Sequence, residues 1–376
     1  MRDETLLQFK DIVTRFTREE IEPYVDDWEE AGMFPRELYR KAAAAGILGA
    51  GFPEEIGGAG GDARFPLVAA EAMLTAGSTG VVVGLQSLGI ALPPLLHLGS
   101  SAQVERWARP AFAGEKVAAL GVTEPGAGSD VSGIKTRAVR DGDEYVINGS
   151  KLYITSGVRA DFVVVLTRTS DEPHAGLTFF VVESDRPGFK ASKPLKKTGW
   201  WASDTAALFF DDVRVPVANR IGDEGTGFVA VMENFIGERL ALAFYGHATA
   251  QVALDEAHAY ARERHAFGRP LAGFQVTRHK LAKMATQVEA AKTLNYVLAE
   301  RLQAGEKPVA EVAMAKNFSA QVAVDVCYEA VQILGGMGYM RESKVERLSR
   351  DARLLPIGGG TSEIMNEIIA RWHLKL

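Results

Sequence analysis

The sequence predicts an α+β multidomain protein. Residues 1–115 form an N-terminal helical domain, 116–222 a central antiparallel β domain, and 223–376 a C-terminal antiparallel helical bundle. Three observations predict this. Apolar residues recur at three- and four-residue spacing near the N-terminus, short β-branched and aromatic runs replace them after Lys116, and three long helical segments follow Gly225. At 376 residues the chain suits two or three domains, and it carries no internal repeat.

In the first domain Leu6, Leu7, Phe9, Ile12, Val13 and Phe16 mark one face of an amphipathic helix. Pro35 suits the first turn of a second helix that Gly46 ends, and Gly57-Gly58-Ala59-Gly60-Gly61 is a loop. From Ala72 to Val104 there is no Asp, Glu, Lys or Arg. Gly77, Gly80, Gly84, Gly89, Gly99 and Pro93-Pro94 break this stretch, so a buried helix lining a core or ligand cavity is expected, not a membrane span. In the second domain Thr136–Val139 and Tyr145–Ile147 flank Asp141-Gly142, a hairpin signal. Phe162–Leu166, Leu177–Val182 and Ala206–Phe210 read as strands with no alternating helices, which argues against a doubly wound dinucleotide fold. In the third domain Phe228–Arg264, Gln275–Ala304 and Val309–Leu334 are long helices, with Pro308 suited to a start and Gly335-Gly336 to a stop.

Composition excludes several chemistries. Lys and Arg number 42 against 48 Asp and Glu, a net charge of −6 that predicts no nucleic-acid partner. Cys327 is the single cysteine, so no intramolecular disulfide or multi-cysteine metal site is expected. No GxGxxG, Gly-Lys P-loop dipeptide, GxSxG elbow or HExxH pair occurs. His258 and His265 lie seven apart, and a solvated or packing role is expected over a metal site. Met1-Arg2-Asp3-Glu4 runs into mixed-charge helix without a basic, then apolar, leader, so no secretory signal is read and a cytoplasmic, soluble protein is expected. Glycine is the odd count: 38 residues without a collagen-like period, hence placed at particular backbone positions.

Three glycine-bearing segments stand out. The first, Gly121-Val122-Thr123-Glu124-Pro125-Gly126-Ala127-Gly128-Ser129-Asp130-Val131-Ser132-Gly133, lets backbone N–H groups close on a flat polar ligand or a phosphate, or is an ordinary turn. The second, Gln332-Ile333-Leu334-Gly335-Gly336-Met337-Gly338-Tyr339, reads alone as a helix stop. The third, Ile357-Gly358-Gly359-Gly360-Thr361-Ser362-Glu363, leads to Thr361 or Ser362 as a helix N-cap.

Together these segments resemble the acyl-CoA dehydrogenase family over nearly the full chain. The first matches its flavin-side signature and the second, extended through Glu342, Arg347 and Asp351, its C-terminal signature. Pro53-Glu54-Glu55, Lys151-Leu152-Tyr153-Ile154-Thr155, Ser203-Asp204-Thr205, Arg264 with Phe267-Gly268, and Phe274-Gln275 add to the match. The resemblance implies non-covalent FAD and oxidation of the Cα–Cβ bond of an acyl-CoA to trans-2-enoyl-CoA, with the β hydrogen leaving as hydride to the flavin N5. It places Val122, Thr123, Gly128, Ser129, Tyr153, Thr155, Thr361 and Glu363 at the cofactor. It also places Arg264, Phe267, Gln275, Gln332, Gly335 and Gly336 at FAD bound in a neighbouring subunit, which implies an oligomer, most often a tetramer. Electron-transfer flavoprotein is the acceptor it implies.

One position departs from the family. Its usual catalytic Glu stands just before Gly-Thr in the third segment, and here that position is Gly359. Glu238 is the replacement candidate. It lies on the helical stripe of Val231, Phe235, Leu242 and Tyr245, where burial is expected to raise its pKa toward that of a general base. Read from the residues alone, a buried ion pair between Glu238 and Arg239 is the competing account. The resemblance favours the base, because the long-chain and isovaleryl-CoA branches carry theirs at this position. The Gly359 N–H is then expected to donate to the thioester carbonyl. Ser129, Arg239, Gly360 and Arg371 are further substrate-binding candidates. Gly80 and Gly84, four apart, are expected to leave room for a medium-to-long or branched acyl chain. A flavin-dependent monooxygenase or oxidase on the same fold, and a non-catalytic acyl-CoA binder, are the alternatives.

Overall fold

The computed structural model describes residues 3–376, so Met1 and Arg2 of the N-terminal reading lie outside the described residues. The N-terminal region is built on α1 (Glu4–Phe16), α2 (Val25–Ala31), α3 (Glu37–Ala44), α4 (Arg64–Met73) and α5 (Thr79–Gln86), with short helical turns from Leu88 to Phe112. On α1 the buried stripe is narrower than expected: Leu6, Val13 and Phe16 are buried, while Leu7 and Ile12 are exposed. Helix α2, which the sequence reading passed over, ends at Gly32 in a left-handed cap (φ 74°). The charge-free stretch folds into α5 and bent segments behind it. No single helix among the described residues is long and apolar enough to cross a membrane, and Thr79–Gln86 meets Leu88–Leu98 at 44°.

The middle region is one sheet of β1 (Ala118–Gly121), β2 (Arg137–Asp141), β3 (Glu144–Thr155), β4 (Phe162–Arg168), β5 (Leu177–Glu183), β6 (Phe189–Ala191), β7 (Thr205–Pro216) and β8 (Arg220–Ile221). Its order is β6-β7-β3-β2-β4-β5-β8, with β1 pairing β4. Most neighbouring strands pair antiparallel, as expected, within a sheet that is mixed overall. β1 pairs β4 in parallel, and Arg137 pairs Arg168 in parallel, because those contacts join strands that no hairpin connects. The hairpin at Asp141-Gly142 forms as predicted, with Gly142 at φ 61°.

The C-terminal region packs α6 (Gly227–Glu263), α7 (Gln275–Gln303) and α8 (Val309–Leu334), followed by α9 (Lys344–Ala352) and α10 (Ser362–Ile369). α6 and α8 approach so closely that a Cβ on Gly246 would lie 2.7 Å from the Ser319 carbonyl oxygen. Asn295 of α7 ties the crossing by donating to Ala243 O and to Ser319 Oγ. Glu71 of α4 fastens the N-terminal region to this bundle, accepting from Lys10 Nζ at 3.0 Å and from the Tyr296 hydroxyl.

One buried carboxylate ties the three regions together, and a second braces the middle region from within. Asp351 of α9 accepts the backbone N–H of Thr79 at 3.0 Å and that of Trp200 at 2.6 Å, joining all three regions at one side chain. Burial and the nearby Glu29 carboxylate push its pKa up, while those two N–H groups oppose the shift. Glu124, after β1, accepts from Lys151 Nζ at 2.8 Å and from the N–H groups of Lys135 and Thr136. Both side chains of that pair are buried, and Lys151 Nζ also reaches Val122 O at 3.0 Å. Asp351→Ala orphans two buried N–H groups and is expected to cost about 2–4 kcal/mol in urea unfolding of the holoenzyme, as a lower midpoint at unchanged slope. Lys151→Met leaves Glu124 buried without its cation and is expected to cost about 3 kcal/mol in the same measurement.

Candidate active site

The chain presents a shelf at the end of β1 and β3. Glu124 and Ala127 exchange backbone hydrogen bonds, and Leu152 N–H donates to Thr123 O at 2.8 Å, so the first glycine segment lies alongside β3. Val122 is buried and Thr123 half-buried at its root, while Gly128 and Ser129 are exposed. Nothing of the protein lies within 4 Å of a Cβ built on Gly126 or Gly128, so their outer face is free for a ligand. The register with β7 shifts between Lys151 and Ile154, and Tyr153 in that bulge has φ 61° and is 67% exposed. A tyrosine held in a left-handed conformation and turned to solvent is a strained arrangement of the kind that clusters at ligand sites. Thr155 is half-buried at the strand end. The fit to a flat polar cofactor is good: open glycines and an exposed aromatic share one shelf.

Glu238 stands on α6 with its Oε2 buried and without a hydrogen-bond partner. Among the described residues it forms no ion pair, so the structure does not support the Glu238–Arg239 pair weighed above. Arg239 instead donates from Nε to Gly359 O at 3.2 Å, and its guanidinium lies over the Phe235 ring. Burial raises the Glu238 pKa to about 7, with Arg239 and Lys316 pulling it back. Along the same stripe Leu242 and Tyr245 are buried, and Tyr245 donates to Gln86 Oε1 at 2.8 Å. The next residue, Ser87, lies 3.3 Å from Ser156 Oγ, one position beyond Thr155. The end of α5 therefore bridges α6 and the shelf.

Gly359 faces Glu238 from the third segment and Gly360 lies beside Arg239, with φ 64° and 99°. A Cβ on Gly359 would lie 3.7 Å from Glu238 Oε1 and would collide with the Leu242 Cδ1 methyl. Thr361 caps α10, its Oγ1 accepting Ile364 N–H at 3.4 Å, and Glu363 in the first turn is exposed. Arg371 is exposed in the last helical turn. Arg264, Phe267, Gln275, Gln332, Gly335 and Gly336 are all exposed. Phe267 is 96% exposed and has φ 53°.

Gly80 and Gly84 require correction. The side of Gly80 meets the Trp200 backbone at 3.0 Å, and that of Gly84 meets the Phe34 ring. Their missing side chains permit close packing of protein on protein, not a channel for an acyl chain. Gln86, Ser87 and Lys316 belong to the site and escaped the sequence reading. For Lys316 the signal was present, since it shares the apolar stripe of Val312, Ser319 and Ala323 on α8.

Sequence comparison agrees with this geometry. Profiles described as the N-terminal, middle and C-terminal domains of acyl-CoA dehydrogenase match residues 3–115, 119–213 and 225–374. The mitochondrial long-chain specific acyl-CoA dehydrogenase of Rattus norvegicus is 38% identical over 96% of this chain and 85% of its own. A short-chain specific acyl-CoA dehydrogenase of Clostridium acetobutylicum is likewise 38% identical, over 96% of both chains. The crystal structure of a probable acyl-CoA dehydrogenase from Mycobacterium abscessus superposes with a TM-score of 0.95 at 52% identity, over 97% of both chains. The shelf, the fold order and these matches over the whole chain have one meaning: the chain belongs to the acyl-CoA dehydrogenase family of FAD-dependent oxidoreductases.

Proposed function

We propose that this chain oxidises the Cα–Cβ bond of an acyl-CoA thioester to trans-2-enoyl-CoA with Glu238 as the α-proton base. The observation that carries the assignment is the 3.7 Å between Glu238 Oε1 and the point where a side chain at Gly359 would begin. A loop carboxylate and the helix carboxylate address the same place, and only the helix supplies one here. Glu238 Oε2 is unpartnered, so it holds no competing hydrogen bond when it takes the proton. The Gly359 N–H is a candidate donor to the thioester carbonyl as negative charge builds there.

FAD, when bound, accepts the β hydrogen as a hydride. Val122, Thr123, Gly128, Ser129, Tyr153 and Thr155 would hold it on the shelf. The exposed set at Arg264, Phe267, Gln275, Gln332, Gly335 and Gly336 suits contact with a neighbouring subunit's cofactor, which supports a homotetramer as the working assembly. Electron-transfer flavoprotein, which the resemblance implies, is the proposed acceptor, and the cytoplasm the proposed location. Long-chain and short-chain relatives match equally well. With protein filling the space beside Gly80 and Gly84, the proposal is made for acyl-CoA as a class, without a chain length.

Anaerobic titration of the flavin absorbance with acyl-CoAs tests the reaction. Bleaching is expected, while an unchanged spectrum with tight binding would indicate a non-catalytic binder. Glu238→Gln is expected to lower turnover by at least about 100-fold with FAD retained, and near-normal turnover would overturn the base assignment. Because only the carboxylate accepts a proton, kcat/KM should rise with pH and pass half-maximum near pH 7, the Glu238 pKa, in a pH–rate profile.

A further inference from the structure

Lys316 has no part in the chemistry described so far, yet it is a fully buried cation in the wall of the site. It lies on α8 with 0% of its surface exposed, and its Nζ donates to Gly360 O at 2.6 Å. A buried ammonium is costly unless it is paired or used. Here it forms no ion pair among the described residues. Its charge is met by one backbone carbonyl and by whatever field the site supplies.

The carbonyl it grips belongs to the most deformable stretch of the chain, Gly358-Gly359-Gly360. Gly359 and Gly360 are both left-handed, and successive carbonyls are held by separate cations. Arg239 on α6 takes Gly359 O at 3.2 Å, and Lys316 on α8 takes Gly360 O. Asn317, the next residue on α8, donates to Ser362 O at 3.1 Å and to Asn366 Oδ1 at 2.9 Å, extending the clamp into α10. Two peptide planes are thus fixed from opposite helices, on the loop that faces the base.

We propose that Lys316 is a positioning residue for this reaction: it locks the Gly359–Gly360 backbone opposite Glu238 and supplies a positive charge that favours the ionised base. The inference rests on Glu238 being the base. The charged and titratable groups acting on Glu238 are Arg239 on its own helix and Lys316 across from it, with the Tyr245 phenol also nearby. Those acting on Lys316 are Arg239, Glu238 and Glu363 of α10. Burial, followed by Arg239, lowers the Lys316 pKa to about 8, which leaves it charged in the range where Glu238 ionises.

Lys316→Met removes the charge and the donor while filling the same space, a replacement that buried ions commonly tolerate. In the FAD-loaded enzyme the acid limb of kcat/KM is expected to move upward by roughly half a pH unit or more, because the ionised base loses a favourable neighbour. KM for acyl-CoA is expected to rise several-fold as the glycine loop loosens. Lys316→Arg keeps the charge and is expected to hold the acid limb at its wild-type position while KM rises. An unmoved acid limb in Lys316→Met overturns the proposal. If that variant fails to retain FAD, a shifted limb in Lys316→Arg overturns it instead. The Glu238→Gln control separates this from the parent reading: an active Glu238→Gln enzyme ends the base assignment, whereas an inactive one with unmoved Lys316→Met kinetics ends only the role of Lys316.

Discussion

The structure turns on the Asp351 carboxylate. One buried side chain accepts an N–H from the start of α5 and another from the Trp200 turn, so it fixes the helical, sheet and bundle regions against one another. The surrounding backbone is drawn in tightly enough that side chains are excluded. A Cβ on Gly199 would come within 2.7 Å of the Arg350 carbonyl group, and one on Gly80 within 3.0 Å of Trp200. The chain leaves α9 at this anchor and reaches Gly359 a few residues later, so the placement of the glycine loop opposite α6 depends on it. A site assembled from three separate regions needs such a common reference point.

Charge is distributed unevenly over the buried acids, and the unevenness sets Glu238 apart. Glu124 has a lysine and two backbone N–H groups, which outweigh its burial and hold its pKa low. Glu71 has Tyr296, Lys10 and His247 around it and is also held low. Both are paired and structural. Among the described carboxylates Glu238 alone pairs a raised pKa with a side-chain oxygen that nothing satisfies. Stability would be better served by pairing it, and an unpaired carboxylate is what the proposed role as base calls for.

Much of this was legible in the sequence, for reasons that differ by element. The long helices were readable because three- and four-residue periodicity persists over many turns, and Val309–Leu334 begins and ends where Pro308 and Gly335 indicate. Glu238 was visible as a lone acid on an apolar stripe. Parallel pairing of β1 with β4 was not, because register between strands remote in sequence leaves no local pattern. Gly80 and Gly84 were legible as small but not as to what fills the gap, since Phe34 and Trp200 arrive from elsewhere in the chain. Lys316 was masked by chemistry: a lysine on a long helix ordinarily reads as solvated, and only its buried stripe distinguishes it.

Leu242 has a bearing on how such an enzyme can change over time. Its methyl occupies the space into which any side chain at position 359 would first project. A carboxylate cannot be placed on the loop by one substitution while that leucine remains, and a left-handed backbone there adds a second obstacle. Moving the proton acceptor between helix and loop therefore demands linked changes at three positions. With the base on the helix, as proposed, sterics at Leu242 would hold it there even if both arrangements served the reaction equally well.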